Sequence, residues 1–185
     1  MTASTTLCDP QRLTAVRQVR NLDPARRQIM TRLAVLAAEL CDAPVALITI
    51  VDGQRQVFAA QWGLPEELAQ RGETPIDYSM CQFAVSTGKP LIVDSMADDP
   101  EFRTHPAFLE LGVAAYAGIP LVTSDGHALG ALCVIDFVPR DWSDDVLARL
   151  ALLAEVVTDE FELQSHERAE AFRRTWRAIP DTRPW

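Results

Sequence analysis

The chain has 185 residues, 48% hydrophobic and 23% charged, the balance of a soluble globular domain with extensions. A net charge of −9 excludes a general nucleic-acid binder, which needs clustered lysine and arginine against phosphate, and disfavours binding to an anionic membrane surface. No apolar run reaches the ~18 residues of a membrane span, and the N-terminal MTASTTLCDPQRL lacks the basic-then-apolar pattern of a signal peptide, so a cytoplasmic protein is expected.

Residues 1–22 form an N-terminal arm, either loose or a short helix with Leu13, Val16 and Val19 at spacing three. Asp23-Pro24 starts a helix, because Asp satisfies free N–H groups and Pro suits the first turn. Ile29, Leu33, Leu36, Ala37 and Leu40 share a face of it, and Asp42-Ala43-Pro44 ends it. Residues 45–51 are a heavily apolar first strand. Asp52-Gly53 turns into a second, at about 55–61, whose alternation marks a more exposed edge. A helical turn is expected at 66–70, and a helix from Tyr78 to about Thr87, capped by Asp77 and stopped by Gly88. Residues 91–94 make a short third strand, 98–106 a loop, and 107–111 a brief helix.

Residues 113–136 read as the central hairpin, its turn at Thr123-Ser124-Asp125-Gly126-His127. Both arms are almost continuously apolar, which places them mid-sheet. Gly118 and Gly130 inside the arms mark a bulge or a close approach, and Pro120 marks a stretch where the ladder is free on one side. Ser143 caps a final helix with no Pro or Gly through Ala178. Its apolar residues fall on two faces, Val146, Leu150, Leu153 and Val157 on one, Leu147, Ala151, Ala154 and Phe161 on the other. One sheet covers one face, so the second calls for the helix at 24–41 or a second subunit. Past Leu163 the charge turns basic at Arg173, Arg174 and Arg177, and that end is expected to diverge or fray. The fold class is an α+β sandwich, an antiparallel sheet layered by helices.

YAGIPL at 116–121, Gly126, LGALCVID at 129–136 and Pro139-Arg140 resemble the last hairpin of a GAF domain. SMCQFAV at 79–85, KPLIVD at 89–94 and DDPEFRTHP at 98–106 fit the same family in the same order, so the resemblance spans roughly residues 25–163. It implies a GAF/PAS-like antiparallel sheet of five to six strands, order 2-1-5-4-3. The terminal helices lie on one face and short helices and loops on the other. Residues 23–163 would be the GAF domain, with 164–185 a C-terminal helical extension and tail. The resemblance implies a stand-alone, bacterial-type sensory module that binds a small molecule or responds to redox state, and pockets of this family lie between sheet and covering segment.

On this reading the pocket lies between strands three to five and residues 76–112, and its candidate ligand-binding residues are Ser79, Cys81, Phe83, Asp94, His105 and Tyr116. Each also has a plainer reading. Cys81 is a packed core thiol, a pocket-lining or redox-responsive thiol favoured as thiolate by a helix start, or an enzyme nucleophile. Asp94, like Asp136, ends a strand, where acids cap turns. Aromatic residues such as Phe83 and Tyr116 are commonly core.

No metal site is signalled. His105 lacks a second ligand at metal spacing, and the four cysteines Cys8, Cys41, Cys81 and Cys133 show no CxxC pair. Cys41 and Cys133 read as small core residues. No cofactor is assigned. An enzyme is not expected. The enzymatic alternative resembles free methionine sulfoxide reductases, GAF proteins that place several cysteines toward the pocket, but here that region holds only Cys81, with no further cysteine before Cys133. A ligand-free scaffold, its pocket filled by Met80, Phe83 and Tyr116, is the other alternative. The expected partners are an unidentified small molecule, a signalling protein, and a second copy paired through residues 144–163 of the last helix, with neither nucleic acid nor membrane.

Overall fold

The computed structural model describes residues 6–177. Residues 1–5, the tail at 178–185 and the side chains of residues 175–177, that of Arg177 among them, lie outside the described residues. Of the two forms expected for the N-terminal segment, Pro10–Val19 takes the helix (α1), capped by the Asp9 carboxylate, which accepts from the Arg12 N–H at 2.8 Å. Val16 and Val19 are buried, and so is Arg12. Its guanidinium donates to the carbonyls of Leu7 (2.6 Å), Val51 (2.8 Å) and Ala128 (3.0 Å), which pins α1 to two strand ends.

Helix α2, Pro24–Cys41, starts at Asp23 as expected and ends at Asp42 in the left-handed region. Its buried side is Met30, Ala34, Ala37, Ala38 and Cys41. The expected face was rotated from this one: Ile29 and Leu36 are 37% and 40% exposed. Alanines bring α2 close to the sheet; of the expected face Ala37 is buried, Leu33 and Leu40 pack half-buried against the same core, and Ile29 and Leu36 are left outside.

The sheet holds β1 (Val45–Val51), β2 (Arg55–Trp62), β3 (Glu73–Pro75), β4 (Leu91–Val93), β5 (Ala115–Val122) and β6 (Ala128–Asp136) in the antiparallel order 3-2-1-6-5-4. This is the expected order once the three-residue edge strand β3 is counted. β3 pairs only with Arg55, Gln56 and Val57 of β2, and a Glu-Thr-Pro triplet carries no readable period. β4 pairs only with Tyr116, Ala117 and Gly118, so Pro120 sits where β5 is free on that side. Both strand glycines mark close approaches. A Cβ on Gly130 would meet the Thr49 carbonyl oxygen at 1.8 Å, and one on Gly118 would meet the Tyr116 hydroxyl at 2.2 Å.

Strand alternation divides the interior in two. Ala46, Ile48 and Ile50 of β1 and Leu132 and Val134 of β6 face α1, α2 and the last helix, α6 (Asp144–Arg177). Leu47, Val51, Tyr116 and Cys133 face the covering segment. On α6, the two apolar faces expected to need separate partners are both covered within the chain: Leu150, Leu153, Ala154, Val157 and Phe161 are buried, and Val146, Leu147 and Ala151 pack half-buried against the same core. Phe161 is therefore core and not interface. The large apolar residues left outside are Leu152 (64%), Val156 (47%), Leu163 (50%) and Phe172 (69%). Beyond Leu163 the helix stays tied to its neighbours as far as Arg168. The Gln164 side-chain amide donates to Asn21 O at 3.2 Å, Arg168 donates to the carbonyls of Gln18 and Asn21, and Arg26 of α2 pairs with Glu160 and Glu167 at 3.0 and 2.7 Å.

Candidate functional site

The covering segment is built from α3 (Glu66–Arg71), a 3-10 turn at Ile76–Tyr78, α4 (Cys81–Thr87) and α5 (Pro106–Leu109). Helix α4 starts later than expected, because residues 76–78 close the tighter turn and Asp77 does not cap it. Ser79 does that work: its Oγ accepts from the Gln82 N–H at 3.2 Å and donates to Gln56 Oε1 at 2.6 Å. Gly88 stops α4 in the left-handed conformation, as expected.

Between this segment and the sheet lies a cavity of about 60 Å³. It sits over β1, β2, β5 and β6, lined by Leu47, Phe58, Met80, Tyr116 and Cys133 among others; it shares β5, β6 and the 76–112 cover with the expected position and reaches β1 and β2 in place of β4. Among the described residues no charged side chain lines it. Thr74 is a polar group in the wall, 5% exposed, and its hydroxyl has no hydrogen-bond partner within the protein.

The polar floor is a sulfur pair. Cys81, at the start of α4, and Cys133, in mid-β6, place their Sγ atoms 3.7 Å apart. The Tyr116 hydroxyl donates to Cys81 Sγ at 3.2 Å, and its ring reaches there by lying across Gly118, where no Cβ obstructs it. The hydrogen bond between the two sulfurs holds the Cys81 thiol below its ordinary pKa against the opposing effect of burial, with help from Thr49, Tyr116 and the Cys81 backbone N–H. Cys133 is pushed well above its ordinary value by the same pairing and by burial.

The expected site residues separate into two groups. Ser79, Cys81 and Tyr116 meet at the cavity floor or its flank. Phe83 and His105 do not line the cavity: with Phe102 they form an edge-to-face cluster, ring centroids 5.1 Å (Phe83–Phe102) and 5.7 Å (Phe83–His105) apart. His105 Nδ1 accepts from the Ala107 N–H at 3.1 Å and so caps α5. Asp94 is exposed at the end of β4, away from the cavity, where its backbone carbonyl accepts from the Arg140 N–H. Asp136 accepts from the N–H groups of Phe137 and Val138 and pairs with Arg140, so this strand-end acid caps a turn.

Three site residues, Cys133, Gln56 and Thr74, are not marked by the sequence. Sequence order leaves Cys81 without a partner before Cys133; in space Cys133 is itself the neighbour. The available signal was parity: Ala131, Cys133 and Ile135 share one face of β6, but parity alone does not say which layer that face meets.

The GAF domain family model matches residues 25–160. A cyclic di-GMP phosphodiesterase of Pseudomonas aeruginosa is 36% identical over 126 residues, covering 68% of this chain and 21% of that protein. The chain thus spans about a fifth of the length of the curated relative it matches. Among solved structures, the GAF domain of a phosphoenolpyruvate-protein phosphotransferase from Coxiella burnetii is similar with a TM-score of 0.64 at 20% identity, over 86% of this chain and 96% of that one. A free methionine-R-sulfoxide reductase from Neisseria meningitidis, in complex with its substrate, is similar with a TM-score of 0.61 at 18% identity, over 85% and 89%. At such identities both likenesses are of fold.

Proposed function

Because the chain belongs to the GAF domain family, we propose that it is a sensory module whose cavity takes a small, uncharged molecule with one hydrogen-bonding end, and that it regulates a partner rather than catalysing a reaction. The observation that carries this is the wall itself: apolar, without a charged side chain among the described residues, and holding the unpartnered buried hydroxyl of Thr74. An unsatisfied buried polar group costs about 1–3 kcal/mol, which a ligand or ordered water would recover. The same wall disfavours the reductase alternative, since an amino-acid substrate brings an ammonium and a carboxylate that no lining group would pair. The curated relative is a phosphodiesterase of which this chain matches a fifth, which fits a regulatory segment acting on a signalling enzyme.

The relay we propose is a second copy of the chain. Arg26 near the start of α2 meets Glu160 and Glu167, while Arg140, just before α6, donates to the Cys41 and Asp42 carbonyls at the end of α2. The two helices therefore run antiparallel. Ile29 and Leu36 on one helix, and Leu152, Val156 and Leu163 on the other, are exposed and spaced to share a face of each helix. Two-fold pairing is a common closure for such a surface.

A second reading has its own support. At about 60 Å³ the cavity holds only a few water-sized molecules, far below the roughly 300–1,000 Å³ of typical ligand pockets, so a ligand-free scaffold is the competitor. Native mass spectrometry decides between them. The sensory reading expects a neutral molecule retained by the wild type and lost in Thr74→Val. No retained mass, together with no amide shifts near Thr74 on titration with a short-chain alcohol, would leave the scaffold.

A further inference from the structure

We propose that Cys81 and Cys133 are a reversible dithiol–disulfide site, oxidised by a small hydroperoxide that reaches them through the cavity. This does not depend on the ligand reading, since a scaffold that binds nothing could carry it equally. Both thiols are free and buried, and both line the cavity. Their sulfurs, 3.7 Å apart, need to close by about 1.7 Å to reach disulfide length. Cys81 is the first residue of a seven-residue helix and Cys133 lies in mid-strand, so the pair joins the covering segment to the sheet.

The two sulfurs have distinct roles. Cys81 accepts the Tyr116 hydroxyl and is held below its ordinary pKa, so it supplies the thiolate. Cys133, pushed the other way, stays protonated beside it. The Cys81 thiolate attacks one peroxide oxygen: an S–O bond forms, the O–O bond breaks, and the departing oxygen takes up a proton to leave as water or alcohol. The Cys133 sulfur then attacks Cys81 as its own proton is lost. The S–S bond forms, the S–O bond breaks, and the hydroxyl leaves with that proton as water. Two thiols have lost two electrons and two protons, and the hydroperoxide has gained them. A dithiol reductant reverses the bond by exchange.

The remaining cysteines do not fit this role. Cys41 lies in the helix-side core with its thiol pushed up to about 11 by burial, and Cys8 is exposed with no resolving partner beside it. A cavity of about 60 Å³ admits hydrogen peroxide and excludes bulky, charged disulfides. Closing the bond would draw β6 toward α4, and the neighbours of Cys133, Leu132 and Val134, form part of the floor under the helices.

The test treats folded, reduced full-length protein carrying Cys8→Ser with hydrogen peroxide, blocks free thiols and digests it without reduction. The expected product is the Cys81 peptide joined to the Cys133 peptide, released by dithiothreitol. Unlinked peptides, or Cys81 oxidised beyond the sulfenic acid while Cys133 is free, would overturn the proposal. So would equal oxidation by glutathione disulfide. In Cys133→Ala, dimedone should trap a sulfenic acid on Cys81; should that variant not fold, the digest of the Cys8→Ser protein still decides. Tyr116→Phe should slow linkage about tenfold, the worth of one hydrogen bond to a charged group, and an unchanged rate removes Tyr116 from the site.

Discussion

The two sides of the sheet share the same strands and have opposite characters. On the helix side, Ile48, Ile50, Leu132 and Val134 meet three helices of 10, 18 and 34 residues in a dense hydrophobic cluster. On the other side, Thr49, Tyr116 and Cys133 meet helices of four to seven residues, with Gln56, Thr74, Ser79 and Cys81 buried among them around a cavity. The alternation of β1 and β6 makes this partition, sending one residue to packing and the next to chemistry. A fold built this way can hold its shape with one layer while the other keeps polar groups and unfilled space.

The harshest way to break that comparison is to truncate the helix side. Phe161→Ala removes a fully buried ring and should cost about 3–5 kcal/mol. Urea unfolding followed by far-ultraviolet circular dichroism reads it, and a loss below about 1 kcal/mol would mean that this layer is not the main store of stability. On the cavity side, Gly118→Ala sets a methyl group 2.2 Å from the Tyr116 hydroxyl. The ring must leave the cysteine pair, at a cost of about 1–3 kcal/mol. Because the clash is with one side chain, the penalty should largely vanish in a Tyr116→Val background. A penalty that persists there would point to the backbone instead.

What the sequence discloses follows the same division. Long elements with caps and continuous apolar runs are legible: Asp23, Gly88 and the 123–127 turn fall where local chemistry puts them. The face of α2 is not, because alanine and leucine count alike in an apolar stripe while close packing selects alanine. The site is legible only in part. Ser79, Cys81 and Tyr116 converge, but the partner of Cys81 is 52 residues away on a strand whose facing layer no local pattern specifies. Phe83 and His105 are near the cavity in sequence and turned away in space, because they pack with Phe102 and the cap on the Ala107 N–H holds the His105 ring there.

The outer surface of the helix layer tests whether stability and assembly are separable. Leu152→Glu with Val156→Glu changes two exposed positions, so monomer stability should move by no more than about 0.5 kcal/mol for each substitution. Sedimentation at micromolar concentration should show a wild-type dimer and a monomeric variant. A monomeric wild type ends the proposal of self-association, and a dimer that survives both charges places the interface elsewhere.

The smallest effect is a pH dependence confined to the covering segment. Burial against Phe83 and Phe102 lowers the His105 pKa, with the Asp77 carboxylate acting weakly the other way. Protonation at Nδ1 would also end the cap on the Ala107 N–H. In the unfolded chain the imidazole titrates near ~6.5, above its folded value. Between the two values the unfolded state binds more protons, so stability rises with pH across that window. The contribution is fully present above the unfolded pKa and is lost as pH falls through the folded one. His105→Asn keeps a capping acceptor and removes the titration. Wild type should therefore lose ground against this variant as pH falls below the unfolded value, while the carboxylates and the other histidines cancel in the difference. A difference between their urea midpoints that does not change with pH would show that His105 serves only as a cap.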